Sequence, residues 1–283
     1  MTFANWCAEP LADGRHRFDA LPLPELHPLA HGQFALELEV ADGIILDCRF
    51  DVAGSHRADE KLLEVRDFKQ GLALINRHGW LTAPYAECVY ARIIEQALGL
   101  VVSDRARALR ELVLALNAVA VDEFWASIET MLDDGLPSLA RREQALGVLE
   151  RITGARIHTT YVRIGGVAAD VDPEDLHAAR GLGNDRVSAA VESVERSHGD
   201  ISVSLPKVLR LPQGEYYDEI LTPHGVLGVW VFSKGDKVPH RVHLRTAGFA
   251  ALSALERDAV GMPSAAFFRR LATTRLVLGE VAR

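Results

Sequence analysis

The sequence predicts an α+β fold, in which helices and short antiparallel strands occupy separate stretches of the chain. Apolar and acidic residues alternate over 34–40 and are followed by a turn signal at 41–43, which predicts a β-hairpin. Apolar residues then recur at helical spacing through 55–152, which predicts several long helices. A second alternating stretch over 225–245 predicts another hairpin.

The N-terminal half is expected to consist of an arm, a hairpin and a helical region. Residues 1–26 hold three prolines and little periodicity, which predicts an irregular arm. The hairpin region covers 27–50, and an antiparallel helical bundle is expected over 55–152, because short turns join its long helices. Its four helices are predicted from Ser55 to Gly79, over 81–98, from a cap at Ser103 and Asp104 to about Leu132, and from Pro137 to Ile152.

The C-terminal half is more broken. Residues 168–215 are polar and rich in glycine, with one helix expected near 184–197. The region 220–283 is predicted to contain a hairpin and two closing helices. Because no repeat or linker marks a boundary, a single domain over 1–283 is expected. The C-terminal elements are placed at 225–233, 238–245, 247–259 and 263–274.

Composition excludes several classes of protein. Lys and Arg number 31 against 39 Asp and Glu, so the net charge of −8 argues against a nucleic-acid partner. The 3 cysteines are scattered, which argues against a disulfide framework and favours a reducing, cytoplasmic compartment. No signal peptide is read at the N-terminus, and the most apolar run falls short of the ~20 residues that cross a bilayer.

Three local patterns carry candidate chemistry, since P-loop, dinucleotide-binding, zinc-protease and serine-hydrolase signatures are absent from the sequence. HPLAHG at 27–32 places two histidines four apart, suited to proton donation, to metal binding or to capping a strand. HRADEK at 56–61 starts a helix with charges that either pair or face solvent. GARIHTTYVRIGGV at 154–167 combines arginines with paired glycines, typical of backbone packed closely against a neighbour or of a structural turn.

These patterns occur in the order found in a known family. The chain resembles the 49 kDa (D) subunit of respiratory NADH:quinone oxidoreductase, complex I, which is related to nickel–iron hydrogenase large subunits. The similarity rests on HPLAHG at 27–32, HRADEKLLEVRDFKQ at 56–70, the block at 154–167, GVLGVWVFSKGDKVPHRVHLRTAGFAAL at 225–252, and LGEVAR at 278–283. It therefore implies a shortened, divergent hydrogenase-large-subunit-like fold.

The resemblance implies a set of residues that line a quinone headgroup pocket. His27 and His31 belong to the pocket loop, with His31 as the hydrogen-bond and proton donor. Trp80 stands where the family has a tyrosine, and an indole N–H can donate a hydrogen bond but cannot deliver a proton as a phenol can. The carboxylate that partners the histidine falls at Glu129 or Asp133. In the family the pocket closes by bringing the histidine loop against the position of Trp80.

The resemblance also implies partners and cofactors. Arg57 and Arg156 match arginines that face the terminal iron–sulfur cluster of a neighbouring protein. The expected partners are the iron–sulfur (B-like) protein of the complex, a C-like protein and a membrane-arm protein, which together hold the chain at the cytoplasmic face of the membrane. Quinone is a possible substrate, and NAD binding belongs to the whole assembly. This chain is expected to bind no metal and no cofactor, since the nickel-binding cysteines of the hydrogenases are missing.

Several family positions are changed, which leaves two functions open. Leu221, His224 and Val226 replace charged family residues, Arg275 replaces an aspartate, and 168–215 is shorter than in the family. The first function is an electron-transfer and quinone-pocket subunit that is inactive as an isolated chain. The alternative is a degenerate, non-catalytic paralogue that serves as a scaffold or assembly subunit of such a complex.

Overall fold

The computed structural model describes residues 9–11, 14–19, 27–31, 34–133 and 135–282, with only the main chain at 9, 10, 30 and 31. The fold is mixed, with many helices and small antiparallel sheets, as the sequence predicts. The chain forms two compact units. The single domain expected over 1–283 stays a prediction. The terminal unit consists of Met1–Arg57, Trp125–Pro137 and Thr246–Arg283, and the central unit of Ala58–Phe124 and Ser138–Arg245.

The terminal unit contains a four-stranded antiparallel sheet in the order β1-β2-β3-β4. The turn between β3 and β4 has positive φ at Asp42 (50°) and Gly43 (79°), as in the two-residue turns that suit hairpins. Two short strands extend the sheet within the arm that the sequence predicts to be irregular, because two or three residues are too few to show periodicity. The strands are β1 (Glu9–Pro10), β2 (His16–Phe18), β3 (Ala35–Ala41) and β4 (Ile44–Asp51).

Helices from the C-terminus complete the core of the terminal unit. Leu36 and Ile45 of the sheet share a buried cluster with Phe267 and Leu271. The two closing helices lie where the sequence places them, and a third, short helix follows. They are α8 (Ala247–Ala259), α9 (Ser264–Thr273) and α10 (Leu278–Val281).

The first predicted helix of the central unit is two helices, which corrects the expectation of one helix from Ser55 to Gly79. Asp67 starts a new helix through a capping box, since its Oδ1 accepts from Gln70 N–H at 2.8 Å and the Gln70 side chain accepts from Asp67 N–H at 3.4 Å. The two helices are α1 (Asp59–Glu64) and α2 (Phe68–His78).

The next helices follow the predicted caps closely. Ser103 Oγ accepts from Ala106 N–H at 3.0 Å, so the N-cap that the sequence predicts is present. The helix expected from Pro137 instead begins three residues later. The helices are α3 (Ala83–Leu98), α4 (Asp104–Leu132) and α5 (Ala140–Thr153).

The region 168–215 holds two helices where the sequence predicts one. The additional helix has Pro173 in its first turn, a start signal that sequence reasoning passed over. Asn184 caps the expected helix by accepting from Val187 N–H at 3.1 Å. The elements from 154 onward are β5 (Val162–Arg163), β6 (Gly166–Val167), α6 (Pro173–Arg180) and α7 (Asp185–Arg196).

The C-terminal sheet has three strands, which corrects the predicted two-stranded hairpin. The additional strand pairs along its whole length with the first strand of that hairpin. Its exposed face carries the apolar residues Tyr217 and Leu221. Because apolar residues occur on both faces, the sequence does not show the alternation of apolar and polar residues that indicates a strand. The strands are β7 (Gly214–Thr222), β8 (Gly225–Ser233) and β9 (Arg241–Arg245).

The helices over 55–152 divide between two hydrophobic clusters and do not form one simple bundle. One cluster joins α4, α5 and α7. The other joins α2 and α3 to the C-terminal sheet, so α3 packs against strands as well as against helices. Within the described ranges, no helix is both long enough and apolar enough to cross a membrane.

Candidate functional site

In the terminal unit, His27 is fully buried and committed to internal hydrogen bonds. Its Nδ1 accepts from Leu29 N–H at 3.1 Å, so Nε2 carries the proton and donates to Ala272 O at 2.9 Å. The ring packs edge-on against Trp125, with 5.6 Å between centroids. Burial lowers the pKa of His27 to about 4, with the bond to Ala272 opposing that shift, so the ring is neutral at pH 7.

The other pocket candidates of the terminal unit are His31, Glu129 and Asp133. His31 ends a short 3-10 turn, Pro28–His31, and its side chain lies outside the described residues, so its role stays a prediction. Glu129 is exposed on α4. Asp133 is also exposed, and its Oδ1 accepts from Arg269 Nη2 at 2.7 Å. Neither carboxylate is buried.

The two arginines that are predicted to face a cluster belong to different units. Arg57, in the terminal unit, is exposed, with Nη2 at 3.5 Å from Gly279 O. Arg156, in the central unit, is ion-paired with Glu143 and with Glu150, the latter at 3.2 Å. Their roles toward a cluster stay predictions.

Trp80 and Arg156, both predicted site residues, line one cavity of the central unit. Trp80 is half-buried in the 3-10 turn Trp80–Thr82 that follows α2. The accessible volume of the cavity is about 10 Å³. Ligand pockets for drug-sized molecules measure roughly 300–1,000 Å³. The space beside Trp80 within this unit is therefore too small for a quinone headgroup.

The segment that follows Arg156 is held by a buried carboxylate that sequence reasoning missed. Glu87 Oε1 accepts from Thr160 N–H at 2.7 Å and from Asn76 Nδ2 at 2.8 Å, and its Oε2 accepts from Val162 N–H at 3.1 Å. Burial raises the pKa of Glu87, while these donors oppose the shift. The bonds hold a stretch in which His158 (φ 56°) and Thr160 (φ 43°) adopt the left-handed conformation.

A second buried carboxylate, Glu95, holds the paired glycines at the end of the same segment. Arg110 donates to both of its oxygens, at 3.0 and 2.6 Å, and both side chains are almost fully buried. Arg110 also donates to the carbonyl of Gly166 at 2.9 Å, and Glu95 accepts from Gly165 N–H at 2.7 Å. A Cβ at Gly166 would lie 2.0 Å from the carbonyl oxygen of Ile201, so only glycine fits there.

Two acidic residues eight positions apart on a mostly apolar helix were the signal available for this arrangement. Eight residues span just over two helical turns, so Glu87 and Glu95 share one face of α3. Because that face is buried, both carboxylates require internal donors. Together they fix 158–166 from one helix.

The described residues offer no metal site. They contain no group of three or more His, Cys, Asp or Glu side chains that could hold a metal ion. Cys48 and Cys88 are buried, and burial raises the pKa of Cys48 to about 12 and of Cys88 to about 11. Thiolates, the form that binds metals, are therefore disfavoured at both positions. The prediction that the isolated chain binds neither nickel nor a cluster remains to be measured.

Comparison with known proteins gives one family. The sequence model of the respiratory-chain NADH dehydrogenase 49 kDa subunit matches residues 136–198 and 187–283. The D subunit of the NADH-quinone oxidoreductase of Carboxydothermus hydrogenoformans is 26% identical over 351 residues, covering 90% of this chain and 96% of that protein. A D subunit of Streptomyces griseus, numbered 2, is 27% identical over 355 residues, covering 90% of each.

A shorter match is closer in sequence, and one solved structure is similar in fold. A D subunit of Salinispora tropica, numbered 1, is 33% identical over 160 residues, covering 54% of this chain and 36% of that protein. A chain of the membrane-bound sulfane sulfur reductase, an archaeal respiratory membrane complex, superposes with a TM-score of 0.82 at 19% identity. That superposition covers 97% of this chain and 100% of the other, and it concerns the fold alone.

Proposed function

We propose, from the premise that this chain belongs to the respiratory-chain NADH dehydrogenase 49 kDa subunit family, that it is the electron-transfer and quinone-pocket subunit of a membrane-bound redox complex. Its partners would be the iron–sulfur (B-like) protein of that complex, a C-like protein and a membrane-arm protein. These would hold it at the cytoplasmic face of the membrane. The cluster would sit in the partner, since the described residues supply no ligand set for one.

The observation that carries this proposal is the rigid support of 158–166, directly after Arg156. Glu87 and Glu95 each accept main-chain N–H donors from that stretch, and Arg110 donates to its carbonyls. Main chain held in a left-handed conformation by buried charges is costly, and such strain concentrates at functional sites. A fixed loop is what an electron-transfer contact with a cluster-bearing partner requires, because the distance to the donor must be constant.

In this function His31 would donate a hydrogen bond and a proton to the quinone headgroup. His27 would support the loop, since it is buried, neutral and bonded to Ala272 O. Glu129 or Asp133 would partner His31. Trp80 would contribute an indole N–H but no proton.

The second candidate function is a scaffold without redox chemistry, and one observation favours it. The cavity that Trp80 lines in the central unit has only about 10 Å³ of accessible volume. If the indole occupies the place of the headgroup ligand, the position that would bind a quinone is closed from this side.

Variants of His31 and Trp80 in the native assembly separate the two functions. For a quinone-pocket subunit, His31→Ala is expected to lower quinone reduction by about 100-fold or more while the complex still assembles, because a proton donor is lost. His177 is an exposed histidine on α6, so His177→Ala serves as the matched control. Trp80→Tyr restores a phenol and is expected to raise quinone-analogue binding. An assembled complex whose quinone reduction is unchanged by His31→Ala would reject the quinone-pocket function and favour the scaffold.

A further inference from the structure

The C-terminal sheet of the central unit has an outer face to which the proposed function assigns nothing. Successive residues of a strand point to opposite faces of a sheet. Val229 and Val231 of β8 and Leu244 of β9 point into the buried cluster that the sheet shares with α2 and α3. The outer face therefore carries Trp230 and Phe232, which are partly exposed and whose rings stack with 6.4 Å between centroids.

The register of the three strands arranges this outer face in rows that run from β7 through β8 to β9. Each row has a carboxylate or a phenol on β7, an aromatic ring on β8 and a basic side chain on β9. The face thus has an acidic edge, an aromatic centre and a basic edge. The first row is Glu215, Phe232 and Arg241, and the second is Tyr217, Trp230 and His243.

The charges at the two ends of the first row are available to a partner. Glu215 is exposed and has no ionic partner among the described residues. The Arg241 side chain is 64% exposed, and its Nη1 lies 3.5 Å from Glu64, longer than the ~2.7–2.9 Å of a charge-assisted hydrogen bond. The neighbouring row differs, because Arg245 donates to Glu219 at 2.9 Å and these two charges pair within the chain.

An open pocket of about 430 Å³ lies at the basic edge of the face, between α1 and β9. Its basic residues are Lys61, Arg241 and His243, and each of these side chains is more than half exposed. Its carboxylates, Glu60 and Glu64, accept main-chain N–H groups of β9 at 2.8 and 3.3 Å. Since both carboxylates are engaged with the strand, the groups left to meet a partner are the basic ones.

A second copy of this chain presents the side chains that the face requires. A two-fold axis parallel to the strands and passing over β8 places β7 of one copy over β9 of the other and keeps each row opposite itself. Glu215 of one copy then meets Arg241 of the other, and Tyr217 meets His243 at the pocket. A two-fold axis across the strands would instead place the two acidic edges together, so the charges select the first arrangement.

We propose that the outer face of the C-terminal sheet pairs with the same face of a second copy of the chain, acidic edge against basic edge. Aromatic residues at the centre and charged residues at the rim are the usual composition of a protein interface. The face is smaller than a standard interface, which has ~20–30 residues a side, so the dimer is weak and forms at high protein concentration. This pairing goes beyond the proposed function and is independent of whether the chain acts on quinone.

Sedimentation equilibrium of the full chain tests the pairing. We expect a reversible monomer–dimer equilibrium that weakens as salt is added. Glu215→Arg and Arg241→Glu each place like charges opposite one another and should lower the association constant by about tenfold or more. A mixture of the two variants should associate as the wild type does, because the reversed charges face each other in the mixed dimer. Arg196→Glu, a reversal at an exposed position on α7, is the matched control and should change nothing.

Three outcomes would overturn the proposal. They are a wild-type chain that stays monomeric at every concentration, a dimer that both charge reversals leave unchanged, and a mixture of the reversed variants that associates no better than either alone. Circular dichroism of each variant shows whether it is folded.

Disulfide trapping decides the matter without charge reversal if Arg241→Glu does not fold. With Cys7 replaced by serine, chains carrying Tyr217→Cys and chains carrying His243→Cys should form a disulfide-linked pair when they are mixed and oxidised. Neither variant alone should do so at the same concentration. Links between two chains of the Tyr217→Cys variant, or no links in the mixture, would contradict the proposed arrangement.

Discussion

Removing the guanidinium of Arg110 is expected to cause a large loss of stability in the central unit. In Arg110→Met the Glu95 carboxylate stays buried and keeps one donor, Gly165 N–H, while the carbonyls of Arg163 and Gly166 lose the bonds that Arg110 donates. Breaking one side of a buried ion pair costs about 3–5 kcal/mol, because the remaining charge is left without compensation. Urea unfolding at pH 7, followed by circular dichroism and by tryptophan fluorescence, measures the loss.

Two comparisons make this measurement specific. Arg151→Met removes an ion pair with Asp175 whose arginine is half-exposed, and it should cost about 0–1 kcal/mol. A double-mutant cycle with Glu95→Leu should give a coupling energy of about 1–3 kcal/mol between Glu95 and Arg110. An Arg110→Met variant that loses less than about 1 kcal/mol, or a coupling energy of zero, would refute the reasoning.

Three further predictions follow from the main chain and from one buried histidine. Ala58 has the left-handed conformation (φ 56°, ψ 40°), which glycine adopts more easily, so Ala58→Gly should raise the free energy of unfolding by about 0.5–1 kcal/mol. Ala73→Gly, on the exposed face of α2, should instead lower it by about 1 kcal/mol in the same urea titration. His27 has its pKa lowered from 6.5 to about 4, so its contribution to stability is present above pH 6.5 and is lost as the pH falls toward 4. His27→Gln should therefore flatten the fall in stability between pH 6.5 and 4, and an unchanged profile would exclude His27 as its source. Gly166→Ala should either prevent folding or lower the temperature at which the central unit unfolds in calorimetry. Gly147→Ala is the control: nothing lies within 4 Å of its added carbon, so the free energy of unfolding should rise by up to about 1 kcal/mol.

The sequence predicted the helices and turns that depend on neighbouring residues, such as caps and turn residues. The helix over 104–132 follows from a serine cap and an apolar stripe, and the turn at Asp42 and Gly43 follows from the residue types that tolerate positive φ. The break at Asp67 was also local, but its capping box lay inside a continuous apolar stripe and was overlooked. Strand β7 was missed because its exposed residues include apolar ones, which blurs the alternation.

The arrangement around the candidate site depends on long-range contacts, which a single sequence does not reveal. The spacing of Glu87 and Glu95 places both on one side of α3, but charges on a helix normally face water, so the sequence did not identify Arg110 as the partner of Glu95. The pocket residues came from family resemblance alone. Among them the structure gives His27 an internal hydrogen-bonding role and Asp133 a surface ion pair, while the roles of His31 and Trp80 stay predictions.

Purification of the native assembly through a tag on this chain, with identification of its component proteins and measurement of its iron, tests the central claim most directly. An iron–sulfur protein and a membrane protein are expected to copurify with the chain in fixed ratio, with iron in the assembly and none in the isolated chain. Recovery of the chain from membranes and cytosol alike as a free protein, with no cluster-bearing partner, would contradict it.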